Sequence, residues 1–206
     1  MFSKSLCSYL PLFRVKRIIF ISPNGTDLAP NCGDNINNPC LTLDFAILVA
    51  VNQTGANSTQ VSAAKGNYTL ISSYSFRNVN NFALVGRGSR PDDVEISCKT
   101  NASLSFILGA NIFLKRIKLR KCGGWRQSSV NAKKPYSGLD EVNFKVALDF
   151  RYCKDIQVAN VEISSAPGLG VNCFDVGGVV NFTGSIFADN TASNENNSTV
   201  NEQSDG

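Results

Sequence analysis

Apolar side chains along this chain follow an alternation that slips. In DIQVANVEISS, residues 155–165, they stand at Ile156, Val158, Val161 and Ile163, with gaps of two, three and two. A half-buried strand alternates by two throughout, and an amphipathic helix gives gaps of three and four. The template recurs in NIFLKRIKLRKC at Ile112, Leu114, Ile117 and Leu119, and in VVNFTGSIFADN at Val180, Phe182, Ser185 and Phe187. The starts are 44 and then 24 residues apart. A unit of about 22 to 24 residues fits both if the first interval holds an insertion. A second strip precedes each copy: Leu104, Phe106 and Leu108; Val146, Leu148 and Phe150; Val171 and Cys173. Each unit therefore holds three short strands.

Two strands that both point alternate side chains inward need a sharp corner between them. A two-residue corner slips the inward phase by one. The corner pairs are Lys115-Arg116, Ala159-Asn160 and Thr183-Gly184. A tight bend often places a residue at positive φ, which Gly and Asn adopt cheaply, so Asn160 and Gly184 suit the position and Arg116 does not. The pattern predicts an all-β fold, a right-handed parallel β-helix (solenoid) with a short N-terminal capping helix. A β-sandwich with coincidental spacing is the competing architecture. Agreement of three copies across three strands each favours the solenoid.

The first third reads differently. PCLTLDFAILVAV predicts a helix near 42–51, with Thr42 as N-cap, Asp44 in the first turn, and Leu43, Ala46, Ile47 and Ala50 on one face. Such a helix would cover the open solenoid end. Strands are expected near 60–63, 68–71, 82–85 and 94–98, with GRGSRPDD a turn-rich loop. Residues 123–145 read as an external loop insertion and 191–206 as a polar, disordered tail. Residues 1–17 form a poor signal-like leader without a small-residue cleavage site. The single domain is expected over 18–190. No cap is visible after Phe187, so the expectation is a fragment of something longer.

Composition narrows the function. The chain has 206 residues, a net charge of +4 and no histidine, which excludes His-based triads, bases and metal sites. The balance is not that of a dedicated nucleic-acid binder, and no nucleic-acid partner, cofactor or metal is expected. No apolar run reaches the roughly 18 residues of a membrane span.

Seven cysteines and no C-x-x-C pair point away from a zinc ribbon and toward an oxidising compartment. Cys32 and Cys40 bracket a turn-rich loop that a disulfide would close. Cys98, Cys122, Cys153 and Cys173 allow three pairings; Cys122 with Cys153 is favoured, because one ends a unit and the other enters the next. Buried free thiols are the alternative. N-glycosylation sequons stand at Asn24, Asn52, Asn57, Asn67, Asn101, Asn181, Asn196 and Asn197. With 23 asparagines some arise by chance, but eight beside paired-looking cysteines support an extracellular or cell-surface location.

The stretch IFISPNGTD…CGDNINNPCLTLDFAI resembles the opening of extracellular right-handed β-helix proteins of the pectin-lyase-like superfamily: a strand, a Gly-Asx turn, and a Cys-bracketed loop running into the cap helix. IKLRKCGG and SIFADNTA are similar to repeats of polymorphic outer-membrane proteins and their animal look-alikes, with Phe187 to Asn190 as the Phe-x-x-Asn stretch. The Gly-Gly-aromatic continuation of those repeats is absent. The resemblance covers about residues 18 to 190 and implies a fold that hosts both enzymes and adhesins.

For catalysis, β-helix lyases and hydrolases place acidic residues on the outer face of consecutive rungs. Asp149, Asp155 and Glu162 are the weak candidates, without a second carboxylate at a matching slot. A non-catalytic scaffold for adhesion or for glycan or protein binding is the reading preferred over a lyase or hydrolase acting on an acidic polysaccharide. Its candidate anionic-glycan patch is Lys118, Arg120, Lys121, Arg126, Lys133 and Lys134, with the partner a polysaccharide or a cell-surface protein. Ordinary solubility charge is the bland alternative.

Overall fold

The computed structural model describes residues 15–28, 32–54, 56–99, 102–123 and 146–190. The tail and nearly all of the expected loop insertion and of the leader lie outside them. The described chain is mostly strand, with one helix, and every strand pair is parallel. The strands are β1 (Arg17–Ile21), β2 (Thr59–Ala63), β3 (Gly66–Leu70), β4 (Tyr74–Arg77), β5 (Asn80–Gly86), β6 (Val94–Cys98) and β7 (Leu104–Ile107). They continue as β8 (Ala110–Arg120), β9 (Val146–Arg151), β10 (Lys154–Ser164), β11 (Leu169–Phe174), β12 (Gly177–Thr183) and β13 (Ile186–Ala188).

Pairing sorts them into three ladders. The first runs β1-β2-β5-β8-β10-β12. The second runs β3-β6-β8-β10-β13 and shares the two long strands, so these ladders form one 9-stranded sheet. The third, β4-β7-β9-β11, is a separate 4-stranded sheet. From β2 onward the order along the chain is first, second, third ladder, then first again.

Register stacks like on like. Val61, Leu84, Leu114 and Val158 are successive partners and all are buried, ending at Phe182, which is 37% exposed. Tyr68, Ile96, Leu119 and Ile163 form a second buried column, ending at the exposed Phe187. Phe76, Phe106 and Phe150 stack at centroid spacings of 5.0 and 5.5 Å. Each such buried side chain contributes roughly 1.5–3 kcal/mol relative to its exposed state. Every inward position read from the slipped template through Ile163 is buried.

Corners recur with the ladders. Arg116, Asn160 and Gly184 have φ of 54°, 52° and 59°. Arg116 therefore adopts the left-handed conformation that its residue type argued against: the ladder contacts on either side override an intrinsic cost of about 1–2 kcal/mol. Asn78, Leu108, Tyr152 and Asp175 repeat the device after each strand of the third ladder, and Lys121, Ser165 and Asp189 after the second. Asn81, Asn111, Asp155 and Gly178 repeat it near the start of first-ladder strands. Asn111 Nδ2 donates to Asn81 Oδ1 at 3.0 Å, so this column also bonds through side chains.

The helix, α1 (Leu43–Thr54), begins one residue after the expected start and ends three residues after the expected end. Leu43, Ala46, Ile47 and Ala50 are buried against β1, β2 and β3. Thr42 caps it, its Oγ1 accepting from the Phe45 N–H at 3.2 Å. Asp27 in turn accepts from the Leu41 N–H and the Thr42 hydroxyl, at 2.8 and 2.7 Å. Asp44 accepts from the N–H groups of Ile71 and Ser72, both at 3.0 Å, and from the Tyr74 hydroxyl at 2.9 Å, tying the helix to the start of β4.

Two disulfides are present. Cys32–Cys40 closes the expected loop, which covers the edge of β1 through Phe20 N–H to Gly33 O and Cys40 N–H to Phe20 O, both 2.9 Å. The second joins Cys98 to Cys122, not Cys122 to Cys153. Cys98 ends β6 and Cys122 follows β8, its ladder neighbour, whereas Cys153 sits at the turn after the third ladder. Cys153 is a buried free thiol whose S–H faces Phe106 O at 3.2 Å and Arg151 O at 3.3 Å; Cys173 is free and exposed.

Candidate functional site

Three arrangements carry the candidate chemistry. The first is the outward row of the second ladder, where Glu95, Lys118 and Glu162 are partners in register. Alternation of the strand turns all three to the same side. Lys118 Nζ lies 2.8 Å from Glu162 and 3.1 Å from Asp92. These two carboxylates, Glu162 first, raise the Lys118 pKa above its ordinary value. Arg120 approaches Glu95 at 3.6 Å. The row is an alternating-charge ladder, not a cationic surface. Of the patch expected from sequence, Lys118 and Arg120 are thus matched by acids, Lys121 occupies a left-handed corner, and Arg126, Lys133 and Lys134 lie outside the described residues.

The second is a buried polar cluster on the third ladder. Asp149 accepts from Ser105 Oγ at 2.9 Å, Asn172 Nδ2 at 2.9 Å and Arg151 Nε at 3.1 Å. Its partners in register are Ser105 on one side and Asn172 on the other. No second carboxylate flanks it there, so this cluster lacks the pair that acid/base glycan chemistry uses. The other two catalytic candidates stand elsewhere. Asp155 is at a corner of β10, where its Oδ1 accepts the Val179 N–H at 3.0 Å. Glu162 is in the charge ladder. The fold brings none of the three together on one ladder face: each is engaged in holding a strand, a turn or an ion pair.

The third is the corner between the first and second ladders, which sequence reading passed over except as scattered charge. Lys65, Arg87, Lys115 and Arg116 gather there, with Arg90 on the adjoining loop. The signal available in sequence was position: these residues follow the ends of β2, β5 and the first half of β8.

Among the described residues, one group of potential metal-ligating side chains is Asp27, Cys32 and Cys40. Its two sulfurs are bonded to each other, so no thiolate is available to a cation. The sequon residues Asn24, Asn52, Asn57, Asn67 and Asn181 are all exposed; Asn101, Asn196 and Asn197 lie outside the described residues. No described helix is long and apolar enough to cross a membrane. In comparisons with known proteins, no family model, no curated protein and no solved structure matches this chain.

Proposed function

We propose that the chain folds as a right-handed parallel β-helix of the pectin-lyase-like kind and serves as a non-catalytic extracellular scaffold for adhesion or for binding glycans or proteins. The observation that carries the fold reading is the fixed order in which the chain visits three parallel ladders, with like side chains in register. A rigid stack of this kind offers long flat faces and needs no catalytic residue. The functional reading draws support from how the acidic candidates are used: Asp149, Asp155 and Glu162 all bond to neighbouring strands or turns. Two disulfides and five exposed sequons among the described residues favour an oxidising, glycosylating compartment.

The test is secreted expression, followed by glycosidase treatment, binding to cells and to a glycan array, and a lyase assay on pectate with calcium. A mass decrease on deglycosylation and binding without turnover are expected. Turnover that is lost in Asp149→Asn would overturn the scaffold in favour of an enzyme.

A further inference from the structure

We propose that the corner joining the first and second ladders is a docking strip for a linear polyanionic glycan bearing sulfate or uronate groups. This rests on the glycan-binding reading above and names its surface. The strip is built by register. The Arg87 N–H donates to Ala63 O at 2.8 Å, which sets the turn after β5 directly over the turn after β2 and its Lys65. A Cβ on Gly86 would stand 1.9 Å from the Arg116 carbonyl oxygen, so a bare glycine lets the next turn close up against it. Ala63 pairs with Gly86 and Val85 with Lys115, so Lys65, Arg87 and Arg116 lie on three successive turns, each stepped along its turn from the last. Arg90 is exposed on the loop beside them, and Lys115 precedes Arg116 with its ammonium 5.9 Å from the Phe113 ring centroid.

Arg116 is the informative member. Its corner has φ of 54°, and the same corner in the next two units is Asn160 and Gly184, residue types that suit such a backbone. An arginine there is not explained by the turn. Its Nε is buried without a hydrogen-bond partner, and the side chain makes no ion pair among the described residues. Lys118 and Arg120, one face away, are matched by Glu162, Asp92 and Glu95. Among the described residues, the acid that meets a strip cation is Asp93, which is turned onto its own loop: it accepts from Ser89 N–H at 2.6 Å and Arg90 N–H at 3.0 Å, and meets Lys65 at 3.4 Å. The exposed Arg87 and Arg90, beside the half-buried Arg116, present guanidinium groups that fit repeated anionic groups on an extended chain better than one small anion. The extracellular reading favours a polysaccharide over a nucleic acid.

The experiment measures binding of the full chain to heparin, polygalacturonate and uncharged dextran at low and high salt. The corner variant is Arg87→Gln with Arg116→Asn, the asparagine chosen because Asn160 occupies the equivalent turn. The comparator is Lys118→Gln with Arg120→Gln. Roughly tenfold weaker binding to the polyanions is expected for the corner variant at low salt, against little change in the comparator, with the difference shrinking as salt screens it. If the corner variant fails to fold, Lys65→Gln with Arg87→Gln, at exposed positions, should weaken binding in the same direction. Equal losses from corner and comparator would overturn the strip as general charge. Binding to dextran or to cells without affinity for either polyanion would overturn the strip yet leave the scaffold reading standing; no binding to any glycan or cell would remove both.

Discussion

Cys98 and Cys122 lie 24 residues apart in sequence and 4.8 Å apart at their Cα atoms. That distance is one strand spacing, and the residue count is the same as the interval between the last two copies of the hydrophobic template. The bond therefore staples one unit to the next where β6 and β8 already pair. Non-reducing peptide mapping is expected to recover Cys32 with Cys40 and Cys98 with Cys122. Replacing both Cys98 and Cys122 by alanine should cost about 3 kcal/mol in a denaturant titration. A peptide linking Cys122 to Cys153 would refute this pairing.

Val158 and Phe182 occupy the same inward column, one step apart, with opposite burial. Val158→Asp places an unpaired charge among Leu114 and its neighbours and should cost roughly 3 kcal/mol or more. Phe182→Asp, at the half-open end, should cost less than about 1 kcal/mol. Comparable losses from the two would mean that the column does not end at Phe182.

The two free thiols described here should differ in reactivity. Burial pushes the Cys153 thiol pKa up, which lowers its thiolate fraction at neutral pH, and the sulfur is also out of reach. Cys173 is raised by partial burial as well but is exposed. Mass spectrometry after native alkylation at pH 8 is expected to find Cys173 modified first and Cys153 only after unfolding. Equal labelling would contradict the buried position of Cys153.

Asp93 supplies the pH-dependent element. The N–H groups of Arg90 and Ser89, then Lys65, hold its carboxyl below its ordinary value. A lowered folded pKa means that the contribution is present above the ordinary carboxylate range and lost as pH falls through the folded value. The loop at 87–93 should loosen only under strongly acid conditions. A carbon-detected NMR titration should place the Asp93 midpoint below about 3.9, the value for an unperturbed aspartate. A midpoint at or above that value would show that the loop bonds do not persist in solution.

Much of the fold is legible in the sequence because ladders repeat the same inward pattern. Ile112, Leu114, Ile117 and Leu119 are read correctly since each unit needs the same column filled. The cap helix is legible because Thr42, Asp44 and the Leu43–Ala46–Ile47–Ala50 face agree. β4 escapes notice, as only Tyr74 and Phe76 mark the inward side of its four residues. Corners at Arg116, Leu108, Tyr152 and Lys121 are illegible by residue type, since tertiary pairing sets a backbone that local preference would refuse. The Cys98 pairing was visible only by measuring spacing against the repeat. Ser105, Ile107 and Asp149 face away from the core yet are buried; alternation marks the inward side and says nothing of what lies on the other. Placement of the cationic corner needed register, which a single sequence does not carry.

The staple between β6 and β8 also acts under force. Among the described residues, β12 and β13 hold only to β10, and β11 only to β9. A pull on the C-terminal side would peel these strands off in turn, loading a few hydrogen bonds at a time, and then β10 and β9. Past β9 the load reaches Cys122, whose bond to Cys98 carries the tension around β7 and β8 and straight into β6. The described segment 146–190 would then span roughly 150 Å of extended backbone. Oxidised, the protein keeps β7 and β8 out of the line of force; reduced, those two strands extend with the rest.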